Sequence, residues 1–351
     1  MPKLDEAAYL RLVRGETTGP GAVAARLALN LPAAGYRLGA GVRNLAFDLG
    51  WRSVHRAGVP VVAVGNLTLG GTGKTPMVEW IARRLRDRGV RAAILSRGYG
   101  QAAGLNDEGR VLEANLPDVP HLQGRDRVAL ARIAVGELES QALILDDGFQ
   151  HRRLHRDLDI VLLDALDPFG GGRTFPRGLL REPAGSLRRA GVVVLSRSDM
   201  VDPADRKRIR VEAQRKAGPL RWAEARHAPL GLLDAADTPY PLPSAPIRCV
   251  AFCGIGNPEG FRRTLASLGI VPAAFRAFPD HHPYTAADVA DLALWAREAG
   301  AELALTTQKD SVKLRADALG AVPLRALRIG LEIVQGREML EAAIDGIVAP
   351  P

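Results

Sequence analysis

A glycine-rich loop between an apolar run and a helical pattern limits the possible folds of this chain more than any other feature. The apolar run is Val59–Val64, and after the loop apolar residues recur at helical spacing from Met77 to Leu85. This order is typical of phosphate-binding loops, in which backbone N–H groups and the positive end of the helix dipole face an anion. The sequence therefore favours a nucleotide-binding loop over a structural turn. The residues of this loop are Thr68, Leu69, Gly70, Gly71, Thr72, Gly73, Lys74 and Thr75.

The end of the loop predicts the first contacts to a nucleotide. In the pattern G-x-x-x-x-G-K-[ST], the lysine reaches the β- and γ-phosphates and the hydroxyl holds Mg²⁺, which assigns these roles to Lys74 and Thr75. Lys74 would also offset the charge on a transferred phosphoryl group. Thr68 stands where the first glycine of the pattern is usual, so the later glycines must supply the flexibility of the loop.

Two carboxylates follow a second apolar run. Asp146 and Asp147 come directly after Leu143–Leu145. Mg²⁺ takes one or two carboxylates together with phosphate oxygens, and the strand end after a phosphate loop is where such a carboxylate belongs. Asp146 is the better candidate, with Asp147 beside it. The alternative is a strand-terminating turn.

Apolar, strand-like runs alternate with helical patterns as far as about residue 200. Several runs are continuously apolar, as expected of strands that are buried on both faces. Repeated units of this kind predict an α/β fold with a doubly wound parallel sheet, similar to that of phosphate-loop NTPases, and ligands at the carboxyl ends of the strands. The runs are Val59–Val64, Ala92–Leu95, Ala142–Leu145, Ile160–Leu163 and Val192–Leu195.

The same pattern restarts after a proline-rich stretch, Thr238–Pro246. We therefore expect a basic helical segment at 1–58, a phosphate-loop core at 59–240 and a smaller α/β lobe at 241–351. The later runs are Ile247–Phe252, Ala273–Phe278, Leu303–Thr306 and Ala326–Ile329.

The N-terminal segment carries an apolar helical stripe. Leu38, Val42, Leu45 and Leu49 fall on one helical face, and arginines lie off it. The stripe either packs against its own domain or lies on an anionic bilayer.

Composition narrows the partners without choosing among them. The 351 residues carry 47 basic and 39 acidic side chains, a net charge of +8. That balance suits a nucleic acid, an anionic membrane surface or a phosphorylated substrate. No apolar run has the ~20 residues of a membrane span, and the N-terminus lacks a signal-peptide pattern. Cys249 and Cys253 are best interpreted as reduced core thiols.

Three further segments carry groups suited to anions or protons. Arg97 follows the run 92–95 and could pair with phosphate, and the basic loop 173–189 could bind an anionic substrate. Either could equally be a solvated face. His281 lies in a rigid loop, D-H-H-P-Y, that is suited to proton handling. The plainer interpretation of Lys309 and Asp310 is a surface pair.

Taken in order, the motifs resemble one family, the tetraacyldisaccharide 4'-kinases. The motifs are G-N-L-T-x-G-G-T-G-K-T-P, S-R-G-Y-G, D-E, D-D-G-F-Q-H-R, F-P-x-G-x-L-R-E-P, D-H-H-x-Y and T-T-x-K-D-x-V-K. The resemblance runs from about Arg37 to Leu314. The resemblance implies phosphorylation, by ATP with Mg²⁺, of the 4'-hydroxyl of a lipid A disaccharide 1-phosphate precursor. It also implies peripheral attachment to an anionic inner-membrane surface at the cytoplasmic face, with no nucleic acid and no obligate protein partner.

The resemblance also assigns roles to residues. It places the catalytic carboxylate on Asp107, the histidine that pairs with it on His281, and a substrate-contacting pair on Arg181 and Glu182. We expect Asp107 in the first lobe and His281 in the second, so that catalysis requires the lobes to close. Asn106 and Gln308 depart from the family pattern, where Gly and Glu are usual.

Two other classes of function stay open from the residues alone. The segment 196–199, S-R-S-D, loosely resembles a guanine-reading motif, which would suit a phosphate-loop GTPase or a metallochaperone-like switch. The basic charge would suit a nucleic-acid-binding ATPase, although few aromatic residues interleave with the arginines.

Overall fold

The structure is a computed structural model, and it describes residues 6–98, 107–242, 247–314 and 316–348. Contacts divide the chain into two compact units. The first unit comprises Met1–Arg97, Leu122–Arg226 and Glu332–Pro351, and the second comprises Gly98–His121 and His227–Leu331.

The described helices are α1 (Glu6–Arg14), α2 (Pro20–Ala28), α3 (Asn30–Asp48), α4 (Lys74–Asp87), α5 (Asp107–Asn115), α6 (Arg127–Gly136), α7 (Pro203–Ala217), α8 (Pro258–Ser267), α9 (Ala286–Glu298), α10 (Gln308–Leu314) and α11 (Arg337–Val348). The described strands are β1 (Val61–Asn66), β2 (Ala92–Ser96), β3 (His121–Gln123), β4 (Ala142–Asp146), β5 (Leu158–Asp164), β6 (Val192–Ser196), β7 (Trp222–Leu233), β8 (Pro239–Tyr240), β9 (Cys249–Cys253), β10 (Ala274–Ala277), β11 (Leu303–Thr307), β12 (Ala318–Leu319) and β13 (Val322–Gln335).

The first unit is built on a parallel sheet. Its strand order is β3-β2-β4-β1-β5-β6, followed by the first residues of β7. Val64 of β1 lies opposite Asp146 of β4 and Ile160 of β5, so the carboxyl ends of these strands share one edge. β1, β2, β4 and β6 are buried at every position, and each has no polar side chain before its last residue. The predicted parallel α/β sheet is therefore confirmed.

Helices cover this sheet and complete its core. One cluster joins Val61 and Ala63 of β1 to the apolar face of α6. Another joins Val193 and Leu195 of β6 to α7. The apolar repeat that predicts α4 is also buried, from Met77 to Leu85. The core thus fixes the strands whose ends carry the polar residues described below.

The second unit has its own parallel strands, in the order β10-β9-β11-β13, with β12 antiparallel to β13. Both cysteines, Cys249 and Cys253, are buried on β9 as free thiols. The four apolar runs predicted after the proline-rich stretch correspond to β9, β10, β11 and β13.

The boundaries of the units differ from the predicted domains at both ends of the second unit. The stretch 98–121, which the sequence placed in the core, belongs to the second unit, and α11 belongs to the first. The expectation that Asp107 and His281 lie in different lobes is therefore wrong. The chain leaves the first unit and returns to it along β13, and a composition shift at one proline-rich stretch does not reveal that return.

Candidate functional site

The glycine-rich loop lies between β1 and α4, as the sequence predicted. β1 ends at Asn66, and α4 begins at Lys74. Gly73 precedes the helix with a left-handed backbone (φ 85°), a conformation that costs other residues more than glycine. The backbone N–H groups of the first turn of α4 therefore face the loop.

Three carbonyl oxygens of this loop accept hydrogen bonds from side chains at the carboxyl ends of β1 and β6. Asn66 donates to Gly70 O (3.4 Å), Arg197 donates to Gly71 O (2.8 Å), and Ser196 donates to Thr72 O (2.8 Å). Across a planar trans peptide, the N–H of the next residue points opposite to the carbonyl. The N–H groups of residues 71–73 therefore point away from these donors, as an anion cradle requires.

The acidic pair lies close to the phosphate loop because of a close backbone approach. A Cβ atom at Gly65 of β1 would lie 2.5 Å from Phe149 Cβ and 2.8 Å from Phe149 N, so only glycine fits there. This approach brings the turn after β4 against the end of β1. Asp146, the last residue of β4, is buried, and Arg127 donates a hydrogen bond to its backbone carbonyl (3.0 Å).

Asp147 has different surroundings from Asp146. Its two carboxylate oxygens each lie 2.7 Å from Nη1 of Arg181, and Lys74 Nζ lies 3.6 Å from Oδ1. Burial would raise the pKa of Asp147, but the charges of Lys74 and Arg181 outweigh it and hold the pKa below its usual range. Asp147 is therefore an ionised carboxylate that holds two cations beside the loop.

The groups around the loop suit Mg²⁺ in chemical type. The described residues contain no group of three or more His, Cys, Asp or Glu side chains that would form an all-protein metal cage. Mg²⁺ needs only one or two carboxylates when phosphate oxygens complete its shell. The buried Thr75 hydroxyl and the Asp146 carboxylate offer such a partial set.

The predicted pair Arg181 and Glu182 faces two directions. Arg181 binds Asp147, whereas Glu182 is fully buried. Arg43 reaches Oε1 of Glu182 at 2.5 Å, and Arg189 reaches Oε2 at 2.6 Å. Both oxygens of Glu182 are thus held by arginines of its own unit, which gives this residue an internal ion-pair role rather than an exposed contact surface.

In the second unit, the structure brings Asp107 and His281 together. His281 Nδ1 lies 3.1 Å from Oδ2 of Asp107. Asp107 is the first residue of α5, and His281 follows β10 with a left-handed backbone (φ 58°). A histidine in this strained region is uncommon, and such residues cluster at functional sites.

The two groups shift each other's pKa. Burial would raise the pKa of Asp107, but the hydrogen bond with His281 and the charge of Lys313 outweigh it, so the pKa is lowered. The same hydrogen bond raises the pKa of His281. Asp107 and His281 are therefore a coupled acid–base pair.

Other sequence candidates have plainer positions. Arg97 is exposed just beyond the end of β2. Asn106 and the Tyr99–Gly100 part of S-R-G-Y-G lie outside the described residues. Asp310 is fully buried, so its interpretation as half of a surface pair with Lys309 is wrong.

Sequence reasoning missed two functional features. Ser196 and Arg197 hold the phosphate loop, and Arg197 also pairs with Asp164 at the end of β5. Lys313 lies 3.6 Å from Asp107. The only sequence signal for Lys313 is its place in T-T-x-K-D-x-V-K, three residues after Asp310.

The predicted apolar stripe on α3 faces outward. Leu38, Val42, Leu45 and Leu49 are 51–69% exposed, whereas Ala33 and Phe47 of the helix are buried. Packing of the stripe against its own domain is therefore excluded for the described residues. Among those residues, no helix is long and apolar enough to cross a membrane.

Beside α3, a cavity of about 470 Å³ opens in the first unit. It is lined by four cationic side chains and, among the described residues, by no acidic one. The cations are Arg37, Arg173, Arg177 and Lys216. Such a cavity favours an anionic group.

The parallel sheet, the cradle between β1 and α4 and the acidic strand end define a phosphate-loop nucleotide-binding α/β protein. Comparison with known proteins narrows the class further. The chain belongs to the family described as tetraacyldisaccharide-1-P 4'-kinase, whose family model matches residues 25–349.

Individual relatives agree with this assignment. The chain is 43% identical over 355 residues to the tetraacyldisaccharide 4'-kinase of Anaeromyxobacter sp. (strain K), covering 95% of this chain and 94% of the relative. It is 38% identical to the enzyme of the same name from Geobacter sulfurreducens, over 97% of this chain and 98% of the relative. A crystal structure of LpxK from Aquifex aeolicus in complex with ATP matches with a TM-score of 0.73 and 30% identity, over 92% and 99% of the two chains.

Proposed function

We propose that this chain transfers the γ-phosphoryl group of ATP to the 4'-hydroxyl of a tetraacyldisaccharide 1-phosphate, with Asp107 as the base. The observation that carries this assignment to particular residues is the Asp107–His281 pair, found in a member of a kinase family that also has a phosphate loop. Phosphoryl transfer needs little covalent chemistry, so positioning and charge supply most of the catalysis.

The phosphate loop binds the nucleotide in this proposal. The N–H groups of residues 71–73 and the first turn of α4 hold the phosphates, and Lys74 offsets charge on the transferred group. Asp147 and Arg181 keep Lys74 in place, because the carboxylate of Asp147 binds both cations. The relative of known structure that contains ATP supports this nucleotide.

Thr75 and Asp146 would hold Mg²⁺. When bound, the ion neutralises charge on the phosphate oxygens. Asp147 is less suited to this role, since both of its oxygens are engaged by Arg181.

Asp107 accepts the proton of the acceptor hydroxyl, and His281 orients and tunes it. A base of this kind must be ionised, and the lowered pKa of Asp107 provides that. Since Asp107 and His281 share one unit, their pairing does not depend on closure of the units.

The acceptor is an anionic lipid, and two features of the first unit suit it. The cationic cavity beside α3 suits the 1-phosphate. The exposed stripe of α3, with exposed Arg37 and Arg52 near it, suits the surface of an anionic membrane. We therefore also propose peripheral attachment at the cytoplasmic face of the inner membrane.

Nothing favours the GTPase alternative. Ser196 and Arg197, part of the segment that suggested guanine recognition, bind carbonyls of the phosphate loop instead.

One assay tests the proposal. Purified protein is incubated with Mg-ATP and a tetraacyldisaccharide 1-phosphate, and the product mass is measured. We expect one added phosphoryl group, and a loss of at least about 100-fold in kcat for Lys74→Ala and for Asp107→Asn. Turnover with GTP but not ATP, or wild-type kcat in both variants, would contradict it.

A further inference from the structure

A buried carboxylate in the second unit supports the backbone next to His281. Asp310 is fully buried, and its Oδ2 accepts hydrogen bonds from the Gly254 N–H (3.0 Å) and the Thr307 hydroxyl (2.6 Å). The carbonyl of Gly254 in turn accepts a hydrogen bond from the His281 N–H (3.2 Å). Asp310 therefore fixes the turn after β9 on which His281 rests.

The same carboxylate reaches Asp107 through Lys313. Lys313 Nζ lies 2.9 Å from Oδ1 of Asp310 and 3.6 Å from Oδ2 of Asp107. The ring centroid of Tyr284 lies 5.2 Å from the same atom. With its side chain only 9% exposed, the ammonium is largely desolvated, and its interaction with both carboxylates is stronger than that of a surface ion pair.

Other contacts between α10 and α5 provide a comparison. Lys309 reaches Glu108 at 2.7 Å, and Gln308 and Asn115 exchange hydrogen bonds of 2.9 and 3.2 Å. These contacts hold the two helices together through residues other than Asp107. A variant that removes such a contact therefore distinguishes an effect on helix packing from an effect on Asp107 itself.

We propose that Lys313 and Asp310 are positioning residues for the Asp107–His281 pair. Lys313 holds the Asp107 carboxylate in place and in its ionised form, and Asp310 holds both Lys313 and the turn that carries His281. The inference rests on the proposed role of Asp107 as the base.

The charges around the pair give the direction of the expected pH effect. Asp107 and His281 face each other. Asp107 also faces Lys313 and Arg110, and His281 also faces Asp280 and Lys309. Removing the ammonium of Lys313 takes away a positive charge that favours the carboxylate. The proton that the Asp107–His281 pair holds, and with it the less active form, should then persist to higher pH.

Lys313→Met tests the inference, with Lys313→Arg as the rescue and Gln308→Met, which removes the contact to Asn115 without changing charge, as the matched control. We expect kcat to fall about 10–100-fold in Lys313→Met while the KM for ATP changes little, because only the base is displaced. The acidic limb of the kcat profile should move to higher pH. Lys313→Arg should recover much of kcat, and Gln308→Met should stay near the wild-type value.

Two outcomes would overturn the inference. One is a Lys313→Met enzyme with a kcat within about twofold of wild type and an unmoved acidic limb. The other is an equal loss in Gln308→Met, which would show that Lys313 acts only through packing of the two helices. If Lys313→Met does not fold, Lys313→Gln takes its place in the same comparison. Asp107→Asn is measured in the same assay. A wild-type kcat in Asp107→Asn would refute Asp107 as the base. A low kcat in Asp107→Asn together with a normal kcat in Lys313→Met would refute only the positioning role of Lys313.

Discussion

His281 Nδ1 lies 3.1 Å from Oδ2 of Asp107, and this contact joins an exposed imidazole to a mostly buried carboxylate. The hydrogen bond raises the pKa of His281 above its usual 6.5 and helps to lower that of Asp107. Between these two values the pair carries one proton, on His281. The pair therefore titrates as a unit, and its pH dependence is the most direct test of its role.

We expect kcat to rise with pH through an apparent pKa above 6.5. Below that value His281 is protonated and its hydrogen bond weakens Asp107 as a base; above it, the proton is lost and the carboxylate accepts a hydroxyl proton more readily. In His281→Gln the limb should disappear, because Lys313 still keeps Asp107 ionised. The value of kcat should fall by about 10-fold or more, because His281 no longer orients Asp107.

The measurement is kcat against pH from 5.5 to 9 at saturating substrates. His155→Gln is the matched control, since His155 lies in the first unit and pairs with Asp157. A limb that persists unchanged in His281→Gln would assign the titration to another group.

Substitutions of the neighbouring carboxylates Asp146 and Asp147 should have different effects on activity. Asp146→Asn should raise the Mg²⁺ concentration for half-maximal activity about 10-fold or more, because a neutral amide binds the ion more weakly. Asp147→Asn should instead raise the KM for ATP, since Lys74 and Arg181 lose their shared anchor. Activity is titrated against Mg²⁺ at fixed ATP. A larger Mg²⁺ effect in Asp147→Asn would reverse the two assignments.

The cationic cavity should determine affinity for the lipid acceptor. Arg173→Ala and Arg177→Ala should each raise the KM for the tetraacyldisaccharide 1-phosphate by about 10-fold, since each removes a charged contact to phosphate, and leave the KM for ATP unchanged. Arg208→Ala, an exposed arginine of α7, is the control. If Arg173→Ala and Arg177→Ala lowered affinity equally for an acceptor without the 1-phosphate, recognition of that group by the cavity would be ruled out.

Substitution of Glu182 should affect the stability of the protein more than its affinity for substrate. Its oxygens are buried between Arg43 and Arg189, and removing one partner of a buried ion pair leaves uncompensated charge. Glu182→Gln should lower the free energy of unfolding by about 3 kcal/mol in urea. Glu332→Gln, which breaks a half-exposed pair with Arg226, should cost less than about 1 kcal/mol. Equal losses would show that burial of Glu182 contributes nothing.

The sequence predicts the first unit best where a strand is buried on both faces. Continuous apolar runs identify β1, β2, β4, β5 and β6 to within about two residues, because burial on both faces leaves few polar positions, such as Asp159 of β5. β7 was missed, since Glu224, Arg226 and His227 interrupt its apolar pattern. Strands of mixed burial give a weaker signal.

Contacts between distant segments could not be derived from the sequence. The residues that anchor Asp107 come from α10, about two hundred positions later, and nothing local to Lys313 points to this contact. The stripe on α3 shows a related limit. Its spacing predicted a helix, but a periodic pattern does not tell whether the apolar face is covered.

The exposed apolar face of α3 leads to the final prediction. Leu38 and Leu45 are 69% and 51% exposed, and each leucine buried in a bilayer contributes about 1.5–3 kcal/mol. Leu38→Ser and Leu45→Ser should each weaken sedimentation with anionic vesicles by about 10-fold, and neutral vesicles should bind the wild type less, because nearby arginines meet no anionic headgroups. Val271→Ser changes an even more exposed apolar residue of the second unit and should leave vesicle binding unaltered. If Val271→Ser weakened binding as much as Leu38→Ser, attachment would depend on general surface hydrophobicity, and α3 would lose its place as the membrane-facing helix.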